Sequence, residues 1–124
     1  MARLIAIISN DFILKQQVFK FIESVNGTIS TISKLTQGVI QDGEKTLWIY
    51  YRGEELNLDN EELGEIKEKF NMIPKISIGI EISSEEGSKD LAIDFCSKFL
   101  QQYPNCIIDD SYGNFFTVEQ IEKL

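Results

Sequence analysis

Histidine is absent from this 124-residue chain. With it go Ser-His-Asp and Cys-His catalysis and any zinc site that uses an imidazole ligand. Cysteine is scarce. Cys96 and Cys106 lack CxxC spacing, and one falls on a helix pattern and the other on a strand pattern. They read as reduced core thiols of a cytoplasmic protein, since a disulfide would need their Cβ atoms to meet. Long hydrophobic runs are missing as well, and no apolar stretch approaches the ~20 residues that span a bilayer. The N-terminal run Leu4 to Ile8 is short, and no small-x-small cleavage site follows it. It reads as a buried strand rather than a signal peptide. Positive charge is the minority, with 12 Lys+Arg against 20 Asp+Glu and a net charge of −8. A phosphate backbone would repel such a surface, so no nucleic-acid partner is expected.

The charge is unevenly placed. Residues 1–52 carry six bases and four acids (+2), and residues 53–124 carry six bases and sixteen acids (−10). Acids cluster from Glu54 to Glu68 and again from Glu81 to Asp94. Patches of this kind steer a basic protein partner and raise its association rate.

The hydrophobic pattern predicts one domain over 1–124. Leu4 to Ile8 is a strand, capped off by Asn10 or Asp11 ahead of a helix on Leu14, Val18, Phe21 and Val25. Asn26-Gly27 stops that helix. Thr28 to Thr36 is β-branched and reads as a strand. Asp42-Gly43 then turns a hairpin between Val39-Ile40 and Leu47 to Tyr51. The segment 54–74 is acidic and helical, with Asp59 or Asn60 as cap. Ile76, Ile78, Ile80 and Ile82 alternate with Lys75, Ser77, Gly79 and Glu81, as in a strand with one buried face. Ser83-x-x-Glu86 or Ser88 caps a helix carrying Leu91, Ala92, Phe95, Cys96, Phe99 and Tyr103. Cys106 to Ile108 and Phe115-Phe116 are short strands around an acidic turn, and Thr117 caps a last short helix. Residues 1–53 and 75–124 follow a similar order and are candidate pseudo-repeats. The expected fold is α+β, a ferredoxin-like sandwich of two βαβ-type units with extra hairpin strands and its helices on one sheet face.

Catalytic candidates thin out quickly. Asp109-Asp110 fits a hard cation or an acid/base pair, but Asp, Ser, Gly and Asn together also make turns. Ser84 to Asp90 lies at a strand–helix junction, yet it lacks any phosphate-loop pattern and bears three acids. No serine has an activating base. No enzyme activity, cofactor or metal is expected. Binding residues are easier to nominate, because Trp, Tyr and Arg are enriched at interface hot spots. Trp48 and Tyr50 share a face of one strand, with Arg52 behind them. Glu54, Glu55, Asp109, Asp110 and Tyr112 add acids and an aromatic suited to a basic cleft.

Three stretches carry a family resemblance: Ile76-Ser-Ile-Gly-Ile-Glu-Ile, then Glu86-Gly-Ser-Lys-Asp-Leu-Ala-Ile-Asp-Phe, then Ile107-Ile-Asp-Asp-Ser-Tyr-Gly-Asn-Phe-Phe-Thr-Val-Glu-Gln-Ile. Their arrangement resembles that of small bacterial immunity proteins of polymorphic and contact-dependent toxin systems. It covers roughly the last fifty residues. The resemblance implies a cytoplasmic, non-enzymatic inhibitor that occludes the active site of one cognate, basic toxin domain. The alternative expectation is a small regulatory metabolite-binding domain, dimerising through sheet edges. A third is a metal-dependent enzyme using Asp109, Asp110 and Glu119. The sequence leaves monomer and homodimer both open.

Overall fold

The computed structural model describes residues 3–32 and 35–124. The targeting reading of Met1-Ala2 and the Ser33-Lys34 part of the expected strand lie outside them. In chain order the elements are β1 (Arg3–Ser9), α1 (Lys15–Ser24), β2 (Thr28–Ile32), β3 (Leu35–Asp42) and β4 (Lys45–Gly53). There follow α2 (Asn60–Phe70), β5 (Ile76–Ile82), α3 (Ser88–Gln102), β6 (Cys106–Asp109), β7 (Phe115–Phe116) and a 3-10 helix (Val118–Lys123). The strands form one open sheet in the order β2-β3-β4-β5-β1-β6-β7, antiparallel throughout. The class is α+β. The two candidate repeats interleave, with β1 sitting between β5 and β6. Among the described residues no helix is long and apolar enough to cross a membrane.

Side chains alternate across a strand, so each strand serves both faces of the sheet. The first face carries Ile5 and Ile7 of β1, Leu47 and Ile49 of β4, and Ile76, Ile78, Ile80 and Ile82 of β5, all buried. Helices α1 and α3 close it, contributing Val18, Phe21 and Ile22 and then Ala92, Phe95, Cys96 and Phe99. Phe21 meets Phe95 and Phe99 edge-on, with centroids 5.7 and 5.1 Å apart. That geometry sets a positive ring edge against a negative ring face.

The second face has its own, smaller core. Ala6, Ile8, Ile107 and Phe115 pack with Ile66 of α2, flanked by Leu58, Phe70 and Met72. The helices therefore do not share one face, contrary to the sequence expectation. α2 crosses opposite α1 and α3 because its apolar stripe is narrow and matches the small patch left on β1, β6 and β7. As expected, Asp59 caps it: its Oδ1 accepts from the Glu62 N–H at 2.8 Å, while Glu62 Oε1 accepts from the Asp59 N–H at 3.2 Å. Residues predicted to face solvent are buried on this face as well. Ser77 and Gly79 of β5 are buried along with the isoleucines.

Several local expectations shift. α1 begins after Leu14, whose N–H donates to Gln17 Oε1; Asp11 instead receives the Asn105 side-chain amide. Asn26, not Gly27, takes the left-handed conformation that ends α1. Gly27 is needed for closeness, since a Cβ there would lie 2.5 Å from Ile22 Cγ2. Thr28 to Thr36 divides between β2 and β3. The β3–β4 loop is Gly43-Glu44, closed by the Asp42–Lys45 pair, with positive φ at Gly43 alone. α3 starts from Gly87, so neither Ser83 nor Ser88 caps it. Their hydroxyls bond each other at 2.6 Å, and Ser83 Oγ accepts from the Thr46 N–H, tying β4 to the start of α3.

Candidate functional site

The helix α2 covers only part of the second face. Its buried cluster draws on β1, β6 and β7, and on no residue of β2, β3 or β4. The remainder is an open platform whose members follow from register. Trp48 stands between Val39 and Glu81, and Glu81 pairs with Leu4. In the next row Tyr50 pairs with Gly79, which pairs with Ala6, which pairs with Asp109. Leu4 is 43 % exposed, while Trp48, Tyr50, Val39 and Glu81 are half-buried. Burial, and then the nearby Glu81 carboxylate, push the Tyr50 hydroxyl above its ordinary value. Trp48 and Tyr50 share this face, as expected, while Leu47, Ile49 and Tyr51 turn to the other. Tyr51 sits on the other face and donates its hydroxyl to the Ile13 carbonyl.

Where the platform meets α2 there is a cleft of about 220 Å³, lined by Leu4, Ala6, Arg52, Leu56, Glu62 and Asp109 among others. The Arg52 side chain lies across Gly79, where a Cβ would come within 2.8 Å of its Nε. Only glycine lets the guanidinium rest on the strand. Burial pushes the Asp109 carboxyl up; the Ser111 N–H and Arg52 pull it down, and Glu62 and Asp110 push it up further. The net direction is upward.

Asp110 is different. It is 5 % exposed, and its Oδ1 accepts from the Tyr112 and Asn114 N–H groups at 2.8 and 3.1 Å, while its Oδ2 accepts from the Asn114 side chain at 2.8 Å. Burial raises its pKa, but these donors and Arg3 outweigh it and hold the carboxyl below the ordinary value. Asp110 builds a turn and leaves no free carboxylate surface. Asp109 and Asp110 also point to opposite faces, as neighbours on an extended chain must. With Glu119 exposed on the 3-10 helix, the three do not converge. No group of three metal-ligating side chains gathers among the described residues.

The other nominated residues scatter. Glu54 and Glu55 are exposed just past the bend at Gly53, beyond the end of the platform. Tyr112 is 74 % exposed at the acidic turn, with the Arg3 guanidinium 5.4 Å from its ring centre. Trp48, Tyr50 and Asp109 are thus the nominated residues brought to one face. Leu4, Glu62 and Glu81 join them without having been nominated. Glu81 was legible as the residue opposite the isoleucines of β5, but its pairing with Trp48 is a register, which local sequence does not carry. Both cysteines are free and buried; burial pushes Cys96 up to about 12 and Cys106 to about 11.

No family model, curated protein or solved structure matches the chain.

Proposed function

We propose that this chain is a non-enzymatic binding protein of the immunity type, which neutralises a basic toxin domain by covering its active site. The observation that carries the reading is the open half of the second sheet face. Trp48, Tyr50 and Leu4 offer apolar and aromatic surface there, and Glu81, Glu62 and Asp109 surround it with negative charge. Aromatics at the centre with charge around them are the anatomy of an energetic hot spot. The net charge of −8 steers a cationic partner toward it. We also read β6-β1-β5-β4 with α1 and α3 as a ferredoxin-like core. Its support is that β5 and β6 both run antiparallel to the intervening β1 and are joined through α3.

The test is association with the product of the adjacent gene, together with rescue of cells from its toxicity. Binding and rescue are expected. Trp48→Ala and Tyr50→Ala should each weaken association by at least about tenfold, and Glu81→Lys should slow the on-rate at low salt. Absence of both binding and rescue sinks the proposal.

A second reading, a regulatory metabolite-binding domain, draws on a cleft of about 430 Å³ at the other end of the sheet. Asn10, Phe70, Met72, Asn105, Ile107 and Val118 help to line it. Its size and mixed lining suit a small molecule. Thermal stabilisation by one member of a metabolite panel, abolished by Val118→Trp, would favour this reading.

A further inference from the structure

Independently of that partner, the structure points to a contact between two copies of the chain. β2 is the outermost strand, and among the described residues no strand pairs with its outer side. The opposite edge, β7, is only two residues long and runs straight into the 3-10 helix. Proteins blunt exposed edges by shortness, charge, proline or bulges. β7 uses shortness. β2 uses none of these: it reads Thr-Ile-Ser-Thr-Ile and keeps a regular register with β3. From Ser24 to Gln41 Lys34 is the sole charged residue, on a chain of net −8.

The register of β2, β3 and β4 fixes the direction of β2's free backbone groups. Ser83 N–H donates to the Thr46 carbonyl at 3.0 Å, so Thr46 faces β5. Facing alternates along an antiparallel strand, so Leu47 and Ile49 face β3. Their partners Ile40 and Gly38 are committed to β4, which leaves Val39 and Gln37 for β2. Those two pair with Thr28 and Ser30. Ile29 and Thr31 therefore direct N–H and C=O outward.

We propose that β2 pairs antiparallel with β2 of a second copy, about a twofold axis at Ser30. In that register Ile29 lies opposite the partner's Thr31, and Thr31 opposite the partner's Ile29. Every outward N–H and C=O of Ile29 and Thr31 then finds a mate. The pattern is its own complement, as a twofold interface requires. The uncharged edge keeps the acids of both copies away from the axis, which is why a second copy fits here despite the net charge. The axis stands perpendicular to the sheet, so faces are preserved. The two open platforms become one continuous surface.

Two measurements test this. Sedimentation equilibrium of the whole chain over the micromolar to millimolar range should show a rise toward twice the monomer mass, and Thr31→Pro and Ser30→Lys should each abolish it. Thr31→Pro removes an outward N–H and leaves the β2–β3 backbone ladder intact, at the loss of the Thr31–Thr36 hydroxyl contact, and Ser30→Lys sets two like charges at the axis. The second measurement is crosslinking. Ser30 and its mate occupy a non-hydrogen-bonded site with Cα atoms ~4.5 Å apart, within disulfide reach. Ser30→Cys should form a disulfide-linked dimer under mild oxidation, since the native cysteines are buried. Thr28→Cys should not, because its two copies lie roughly 14 Å apart along the strands. A monomer throughout the range, or crosslinking equally efficient at both positions, overturns the proposal.

Discussion

The same strands build two unlike faces. β5 gives Ile76, Ile78, Ile80 and Ile82 to the first and Ser77, Gly79 and Glu81 to the second. β4 gives Leu47 and Ile49 to the first and Trp48 and Tyr50 to the second. The first face is filled by large β-branched and aromatic side chains under two helices. The second is finished by one helix over part of its width, and its open part carries aromatics and carboxylates. Stability and surface are thus separated by residue parity, one position apart. Substitutions on the first face should cost folding free energy, and those on the open platform should cost almost none.

The largest effect belongs to Phe99, buried in the aromatic cluster between α1 and α3. Phe99→Ala should destabilise by about 3–5 kcal/mol, read as a lowered urea midpoint. Ile66→Ala strips the anchor of α2 from the smaller core. Its cost should fall at the lower end of the ~2–5 kcal/mol seen for such truncations, because fewer neighbours lose contact. If Ile66→Ala cost as much as Phe99→Ala, the second face would be as strongly built as the first and the contrast would fail.

Asp109 and Asp110 sharpen the contrast within a single peptide unit. Asp110→Asn removes a charged acceptor that serves three donors and should cost on the order of 1–3 kcal/mol at neutral pH. Its folded pKa is lowered from 3.8. Its contribution is therefore complete above that value and disappears as pH falls through the lower, folded one. Asp109 has the opposite sign. Its folded pKa is raised from 3.8, so its charge opposes folding at neutral pH, and protonation relieves this as pH falls toward 3.8. Asp109→Asn keeps an acceptor for the Ser111 N–H and should be neutral or stabilising at pH 7. Equal losses from both variants, followed by urea titration at several pH values, would contradict this division.

Patterns of period two and 3.6 were legible in the sequence: the isoleucine alternation of β5, the stripe of α3, the Asp59 cap and the parity of Trp48 and Tyr50. What stayed hidden depends on distant partners. The side on which α2 lies is decided by the patch that β1, β6 and β7 leave for Ile66, and no local pattern encodes it. Ser83 looked like a cap because Ser-x-x-Glu is a capping pattern, but the strand continuing to Ile82 places it beside Thr46, and the tertiary bond wins. The acidic turn was ambiguous for the same reason. Its composition suits both cation binding and an Asx turn, and only the convergence of Asn114 and Tyr112 on Asp110 separates them.

The smallest folding effect should come from the most prominent side chain on the open platform. Trp48 pairs with Val39 and Glu81, and no helix residue from the α2 cluster packs over it. Cross-strand neighbours of that kind contribute ~0.2–1 kcal/mol. Trp48→Ala should therefore shift the urea midpoint only slightly, while Leu47→Ala, one position away and fully buried, should cost ~2–5 kcal/mol. A large aromatic that adds little to folding yet stays partly exposed beside a carboxylate has its use outside the fold. A loss from Trp48→Ala approaching that from Leu47→Ala would instead make Trp48 part of the core and remove the main support for a binding face.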